Sequence, residues 1–158
     1  PDEHPITDFE TYFSIFENFL EVRPHQEVHF ELGRALVAQC GSLVTQVQYV
    51  KTGIKKRFAV VNAGMTELIR PALYQAYHKI EKLTSVNDSP MLYDIVGPIC
   101  ESSDTFAKEI ELPALSRGDL LIIRTAGAYG EVMASRYNLR DAIQSYFIND
   151  STPILANG

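Results

Sequence analysis

Two hydrophobic periods divide the chain. Over residues 6–22, Phe9, Phe13, Phe16, Phe19 and Leu20 return at helical spacing, which predicts an amphipathic helix with its aromatic stripe facing a core. Thr7 with Glu10 three residues on predicts a capping box at its start. Pro24 stops it. Val28 to Leu32 then reads as a short strand. A helix, a brief loop and a short strand are the rhythm of an α/β barrel, although one such unit cannot close a barrel.

Past Arg34 the period falls to two. Leu43, Thr45, Val47 and Tyr49 alternate with Val44, Gln46, Gln48 and Val50. Phe58 to Asn62, Tyr77 to Ile80, Met91 to Val96, Thr105 to Ile110, Asp119 to Thr125 and Ser145 to Ile148 are further strand candidates. Turn-forming residues punctuate the gaps, including Lys82 to Pro90 and Pro113 to Gly118. A helical turn is predicted near Ile69 to Tyr74, with Pro71 at an early helical position. Short strands at this spacing predict a mainly β fold, a sandwich or small barrel. The boundary falls near residues 35–40: residues 1–38 read as the tail of an α/β barrel and 39–158 as a β domain.

Composition narrows the class. At 158 residues the chain is 46% hydrophobic and 22% charged, an ordinary globular composition. Fourteen basic residues against 20 acidic leave a net charge of −6, which argues against a nucleic-acid surface. No apolar run approaches the roughly 18 residues a membrane span needs, and no signal peptide is visible. Cys40 and Cys100 are the only cysteines; they make no disulfide framework, so a reducing, cytoplasmic location is expected. A chain that starts at Pro1 rather than Met is expected to be a piece of something longer.

The candidate chemistry gathers after the apolar run Leu92 to Val96. There Gly97-Pro98-Ile99-Cys100-Glu101-Ser102-Ser103-Asp104 sets a cysteine, a glutamate, two hydroxyls and an aspartate on a loop. Gly127-Ala128-Tyr129-Gly130 and Glu31-Leu32-Gly33-Arg34 follow other apolar runs. With Gly64 to Tyr74, these stretches resemble, in order and approximate spacing, the carboxy-terminal part of diaminopimelate decarboxylase, from about Phe30 to about Tyr137. That resemblance implies a pyridoxal 5'-phosphate (PLP) enzyme of the alanine-racemase-like type. Such an enzyme has a PLP-binding α/β barrel, here reduced to its last helix and strand, then a carboxy-terminal β domain. It also implies a homodimer with active sites shared between subunits.

What the resemblance implies for single residues is chemically coherent. Glu31, Leu32, Gly33 and Arg34 correspond to a cofactor-binding turn: a glycine lets backbone N–H groups approach a phosphate, and a guanidinium fork pairs with phosphate or a substrate carboxylate. Leu32 stands where the family motif has proline. Arg70 and Tyr74, four apart on a helical face, correspond to the residues that hold the substrate's second carboxylate. Cys100 corresponds to the proton donor; an ordinary thiol, with a pKa of about 8.5, keeps its proton near neutral pH. Glu101 corresponds to the group that meets the distal ammonium, and glutamate rather than aspartate there favours diaminopimelate over ornithine or arginine. Tyr129 corresponds to an aromatic that touches both cofactor and substrate.

Other features are expected to be absent. None of Lys51, Lys55, Lys56, Lys79, Lys82 and Lys108 lies in a context like that of the family's Schiff-base lysine, so the chain by itself is expected to be inactive. The partner of the ring nitrogen and a glycine-rich phosphate loop are likewise missing. No metal-ligand spacing is present, and His29 on its short strand is expected to be structural. Competing readings are a related ornithine, arginine or carboxynorspermidine decarboxylase, and a non-catalytic regulatory relative. Retention of Cys100 and Tyr129 weighs against the last.

Overall fold

A computed structural model describes residues 7–83, 89–149 and 152–155. Helix α1 (Phe9–Glu21) leads, followed by α2 (Arg34–Val37) and a 3-10 turn (Ala38–Cys40). Strands β1 (Leu43–Thr52) and β2 (Arg57–Val61), helix α3 (Arg70–Tyr74), and strands β3 (Ile80–Lys82), β4 (Pro90–Val96), β5 (Thr105–Pro113) and β6 (Leu120–Ile123) follow. A hairpin of β7 (Tyr146–Asn149) and β8 (Thr152–Leu155) forms a separate two-stranded sheet.

The main sheet has six strands in the order β3-β6-β1-β2-β4-β5. Its outer strands, β3 and β5, approach each other, so the sheet curls into a nearly closed barrel. Inward side chains fill it, among them Val47, Val61, Tyr93, Ile95, Leu121 and Ile123, and burying each stabilises the fold by about 1.5–3 kcal/mol before entropy is counted. Tyr93 carries its hydroxyl into this core and accepts the backbone N–H of Leu115 at 3.0 Å, which offsets the cost of burying a polar group.

The predicted alternation of β1 breaks midway. Thr45 and Val47 point inward as expected, but Tyr49 is 60% exposed. The pairing with β2 slips between Val47 and Tyr49. Such a bulge moves the following side chains to the opposite face, and Val50 joins the core instead.

Other expectations need correction. The residues from Val28 to Leu32 have no regular secondary structure and pair with no described strand; a strand is defined by its ladder partner. Helix α1 has no buried residue. Its stripe gathers round Phe30, with ring centroids 4.9 Å away for Phe13 and 4.8 Å for Phe16, so it forms a satellite cluster rather than part of the barrel core. Asp8, not Thr7, caps it by accepting the Thr11 N–H at 3.1 Å. The strand expected over Tyr77 to Ile80 starts only at Ile80. His29 is exposed, 3.4 Å from Glu27, because no sheet encloses it. Ile6, and residues 84–88 of the loop between Lys82 and Pro90, lie outside the described residues.

Register explains how the fold collects its loops. β2 and β4 run parallel, with Val60 opposite Val96, so both end at the same rim of the barrel. β1 is antiparallel to both β2 and β6. Its start at Leu43 therefore lies at that rim beside the end of β6, with Leu43 opposite Ile123. The segments before β1 and after β2, β4 and β6 all emerge there.

Candidate functional site

These four segments carry the sequence motifs. Glu31–Arg34 leads into β1, Gly64–Tyr74 leaves β2, Gly97–Asp104 leaves β4, and Gly127–Gly130 follows β6. Residues separated by up to about a hundred positions are thus delivered to one rim by strand direction alone.

The Cys100 loop is built on Asp104, which is 4% exposed. One carboxylate oxygen accepts the Ile99 N–H at 2.7 Å, and the other accepts the Met65 N–H at 2.6 Å. The first bond closes the loop on itself; the second ties it to the segment after β2. Backbone bonds from Gly97 N to Asp104 O and from Asp104 N to Glu101 O, at 3.0 and 3.1 Å, complete the turn. A side chain at Gly97 would collide with the Asp104 carboxylate, so the close approach requires glycine there. Burial pushes the Asp104 carboxyl above its usual value, and the two N–H donors only partly oppose it. Held this way, Cys100 and Glu101 both face solvent, with the thiol free.

The Glu101 carboxylate accepts the hydroxyl of Tyr137 at 2.7 Å. That bond is the largest cause raising the Tyr137 pKa. Tyr137 belongs to an arm after Gly130 that is anchored in two places: Ser135 N–H donates to Thr66 O at 2.9 Å, and Arg140 donates to Glu67 at 3.1 Å and to the Asn62 carbonyl at 2.6 Å. Glu67 also accepts the Gly64 N–H at 2.7 Å and the Thr66 hydroxyl at 2.9 Å. Sequence reading passed over Tyr137, Arg140, Glu67 and Asp104 as organisers. Their only local signal is polarity near glycine-rich turns; what they hold lies 36 or more positions away in three of the four cases.

Arg70 and Tyr74 do share a face of α3, with the guanidinium carbon 5.6 Å from the ring centroid. Arg70 is only 7% exposed, while Tyr74 faces solvent. On the other side of the rim, the Tyr129 hydroxyl lies directly against Gly33, where any β-carbon would strike it. Arg34, beside that contact, is exposed. Gly127 donates to Ala38 O at 2.9 Å and packs against Val37 O and Gly41, which locks the Tyr129 loop to the turn before β1. The contacts therefore join Gly33 with Tyr129, Arg70 with Tyr74, and the Cys100–Glu101 loop with Met65. Among the described contacts none links Tyr129 to Cys100. No group of three metal-ligating side chains stands together among the described residues, and no described helix is long and apolar enough to cross a membrane.

The sheet order and rim loops define a barrel-like β domain that gathers its polar loops at one end. Residues 11–127 match the family described as pyridoxal-dependent decarboxylase, C-terminal sheet domain, and the chain belongs to that family. It is 57% identical over 147 residues to diaminopimelate decarboxylase of Bacteroides thetaiotaomicron, a match covering 92% of this chain and 38% of that protein. It is 52% identical over 111 residues to the Pseudomonas aeruginosa diaminopimelate decarboxylase, covering 70% of this chain and 26% of that one. The crystal structure of Helicobacter pylori diaminopimelate decarboxylase complexed with L-lysine superposes with a TM-score of 0.88 at 38% identity, over 98% of this chain and 38% of that one. The chain thus spans little more than a third of the length of these relatives, or less.

Proposed function

We propose that the chain supplies the carboxy-terminal sheet domain of a PLP-dependent diaminopimelate decarboxylase, which converts meso-2,6-diaminopimelate to L-lysine and CO2. One observation carries this reading: four separated motif segments converge on a single rim, with Cys100 and Glu101 presented outward by a buried aspartate. The high identity to diaminopimelate decarboxylases supports the choice of substrate. The domain boundary is proposed near residues 35–40, over α2 and the 3-10 turn that precede β1.

The residues present fit the cofactor's phosphate end. Glu31, Leu32, Gly33 and Arg34 form the turn that would meet that end; the Tyr129 hydroxyl lies against Gly33, and Arg34 offers an exposed cation. When bound, PLP supplies the electron sink that lets the α-carboxylate leave. This chain's own groups bind and protonate. Arg70 and Tyr74 hold the distal carboxylate, Glu101 holds the distal ammonium, and the Cys100 thiol holds a proton for the α-carbon. The reading includes a homodimer in which the exposed Cys100 loop serves the neighbouring subunit's site. The free thiols of Cys40 and Cys100 support a reducing, cytoplasmic setting.

The test is a substrate panel on the full-length protein, reading CO2 release from diaminopimelate, ornithine and arginine. Diaminopimelate is expected to have the highest kcat/KM, and preference for another diamino acid would overturn the substrate reading. Glu101→Asp is expected to lower kcat/KM for diaminopimelate by about tenfold. The shorter side chain leaves the distal ammonium incompletely paired, at about 1–3 kcal/mol.

A further inference from the structure

An exposed glutamate ordinarily samples several rotamers in water, and fixing one costs entropy. At Glu101 a second segment removes that freedom. The Tyr137 hydroxyl donates to its carboxylate at 2.7 Å, and Tyr137 is itself held. Ser135 is bonded to Thr66 on one side, and Arg140 to Glu67 and Asn62 on the other. Between these anchors Asn138 and Leu139 both take φ of 57°, the left-handed region that a β-carbon disfavours, more so at leucine than at asparagine. Leu139 is 95% exposed, so burial of its side chain does not offset that cost. The anchors do, and the outcome is a tyrosine pressed against one carboxylate.

We propose that Tyr137 is a positioning residue for substrate specificity: it holds the Glu101 carboxylate in the orientation that receives a ligand's distal ammonium group. The inference rests on the diaminopimelate reading above. A phenol suits the task because it is neutral. It fixes one oxygen and leaves the other open to the ligand while the carboxylate keeps its net charge; lysine or arginine would cancel that charge. Burial contributes little at this exposed position, and the hydrogen bond to Glu101 keeps the phenol protonated beyond its ordinary range. Since Tyr137 and Glu101 belong to the same chain, they travel together to whichever subunit's site they serve.

The experiment compares diaminopimelate with 2-aminopimelate, which lacks the distal amino group, in the full-length protein. Tyr137→Phe keeps the ring and removes the donor. It is expected to raise KM for diaminopimelate about tenfold, with kcat within about twofold and 2-aminopimelate unaffected. In a Glu101→Gln background the same substitution is expected to change KM by less than about twofold, because its effect passes through Glu101. An unchanged KM, or an equal effect in both backgrounds, would overturn the proposal. If Tyr137→Phe does not fold, Arg140→Gln, which frees the arm from Glu67 and the Asn62 carbonyl without touching Tyr137 or Glu101, is expected to raise KM in the same direction, and no rise overturns it. If the wild type prefers ornithine, the diaminopimelate reading falls, and the same double-mutant cycle on ornithine still decides the role of Tyr137. A protein that turns over no diamino acid overturns both.

Discussion

Asp104 has no charged partner within its loop; its carboxylate is consumed by two backbone N–H groups from different segments. Asp104→Asn leaves only one acceptor oxygen, because an amide nitrogen has no lone pair to offer. One buried N–H then loses its partner, and the expected cost is about 1–3 kcal/mol in denaturant unfolding. The margin should depend on pH. Burial raises the folded-state pKa above the unfolded value near 3.8, so the protonated form is favoured in the fold. The stability it contributes is fully present below pH 3.8 and is lost as pH rises through the raised folded value. The difference between wild type and Asp104→Asn should therefore narrow from acid toward neutral pH. Groups with lowered values, such as Glu81, whose carboxylate is held by Arg124, act equally in both proteins and cancel. A margin that widens with pH would contradict burial as the dominant cause.

Among the elements, the joint between the turn before β1 and the loop after β6 is the tightest. A β-carbon at Gly127 would strike Val37 O and crowd Gly41 N and the Cys40 sulfur. Those are backbone atoms or short side chains with little room to yield. Gly127→Ala is expected to destabilise by about 1–3 kcal/mol and to shift Tyr129 off Gly33. Thermal unfolding reads the first effect, and a weakened PLP affinity of the full-length protein reads the second. Unchanged values for both would show that the joint is looser than its contacts. The aromatic stripe of α1 is a contrasting case. Its regular spacing was legible in the sequence, yet it covers one ring, Phe30, rather than the barrel, because periodicity identifies the apolar face without saying what meets it.

At the scale of the whole molecule, the exposed Cys100 loop bears on assembly. If the Cys100 loop serves a neighbouring subunit, Cys100→Ala and a variant lacking the lysine that binds the cofactor should complement when mixed in the full-length protein. Half of the randomly exchanged dimers would be mixed, each with one intact site, so activity should recover to about a quarter of wild type. The assay is CO2 release after mild dissociation and reassociation. Mixed dimers as inactive as their parents would place Cys100 in its own subunit's site.

Local chemistry made much of this protein legible. Alternation marked β1, and short apolar runs between turn residues marked β2, β4, β5 and β6, to within a few positions. The glycines beside Cys100, Tyr129 and Arg34 marked the loops, since only glycine tolerates the approaches made there. Three-dimensional neighbours decided what local pattern could not. Residues 28–32 form no strand because they pair with no described strand. Tyr49 faces outward because one slip in pairing with β2 inverts the face. Asp104, Tyr137 and Arg140 are ordinary polar residues in sequence, and each becomes an organiser only because strand direction carries its partner to the same rim. A hydrogen bond is satisfied by whatever is near in space, and a sequence records only what is near along the chain.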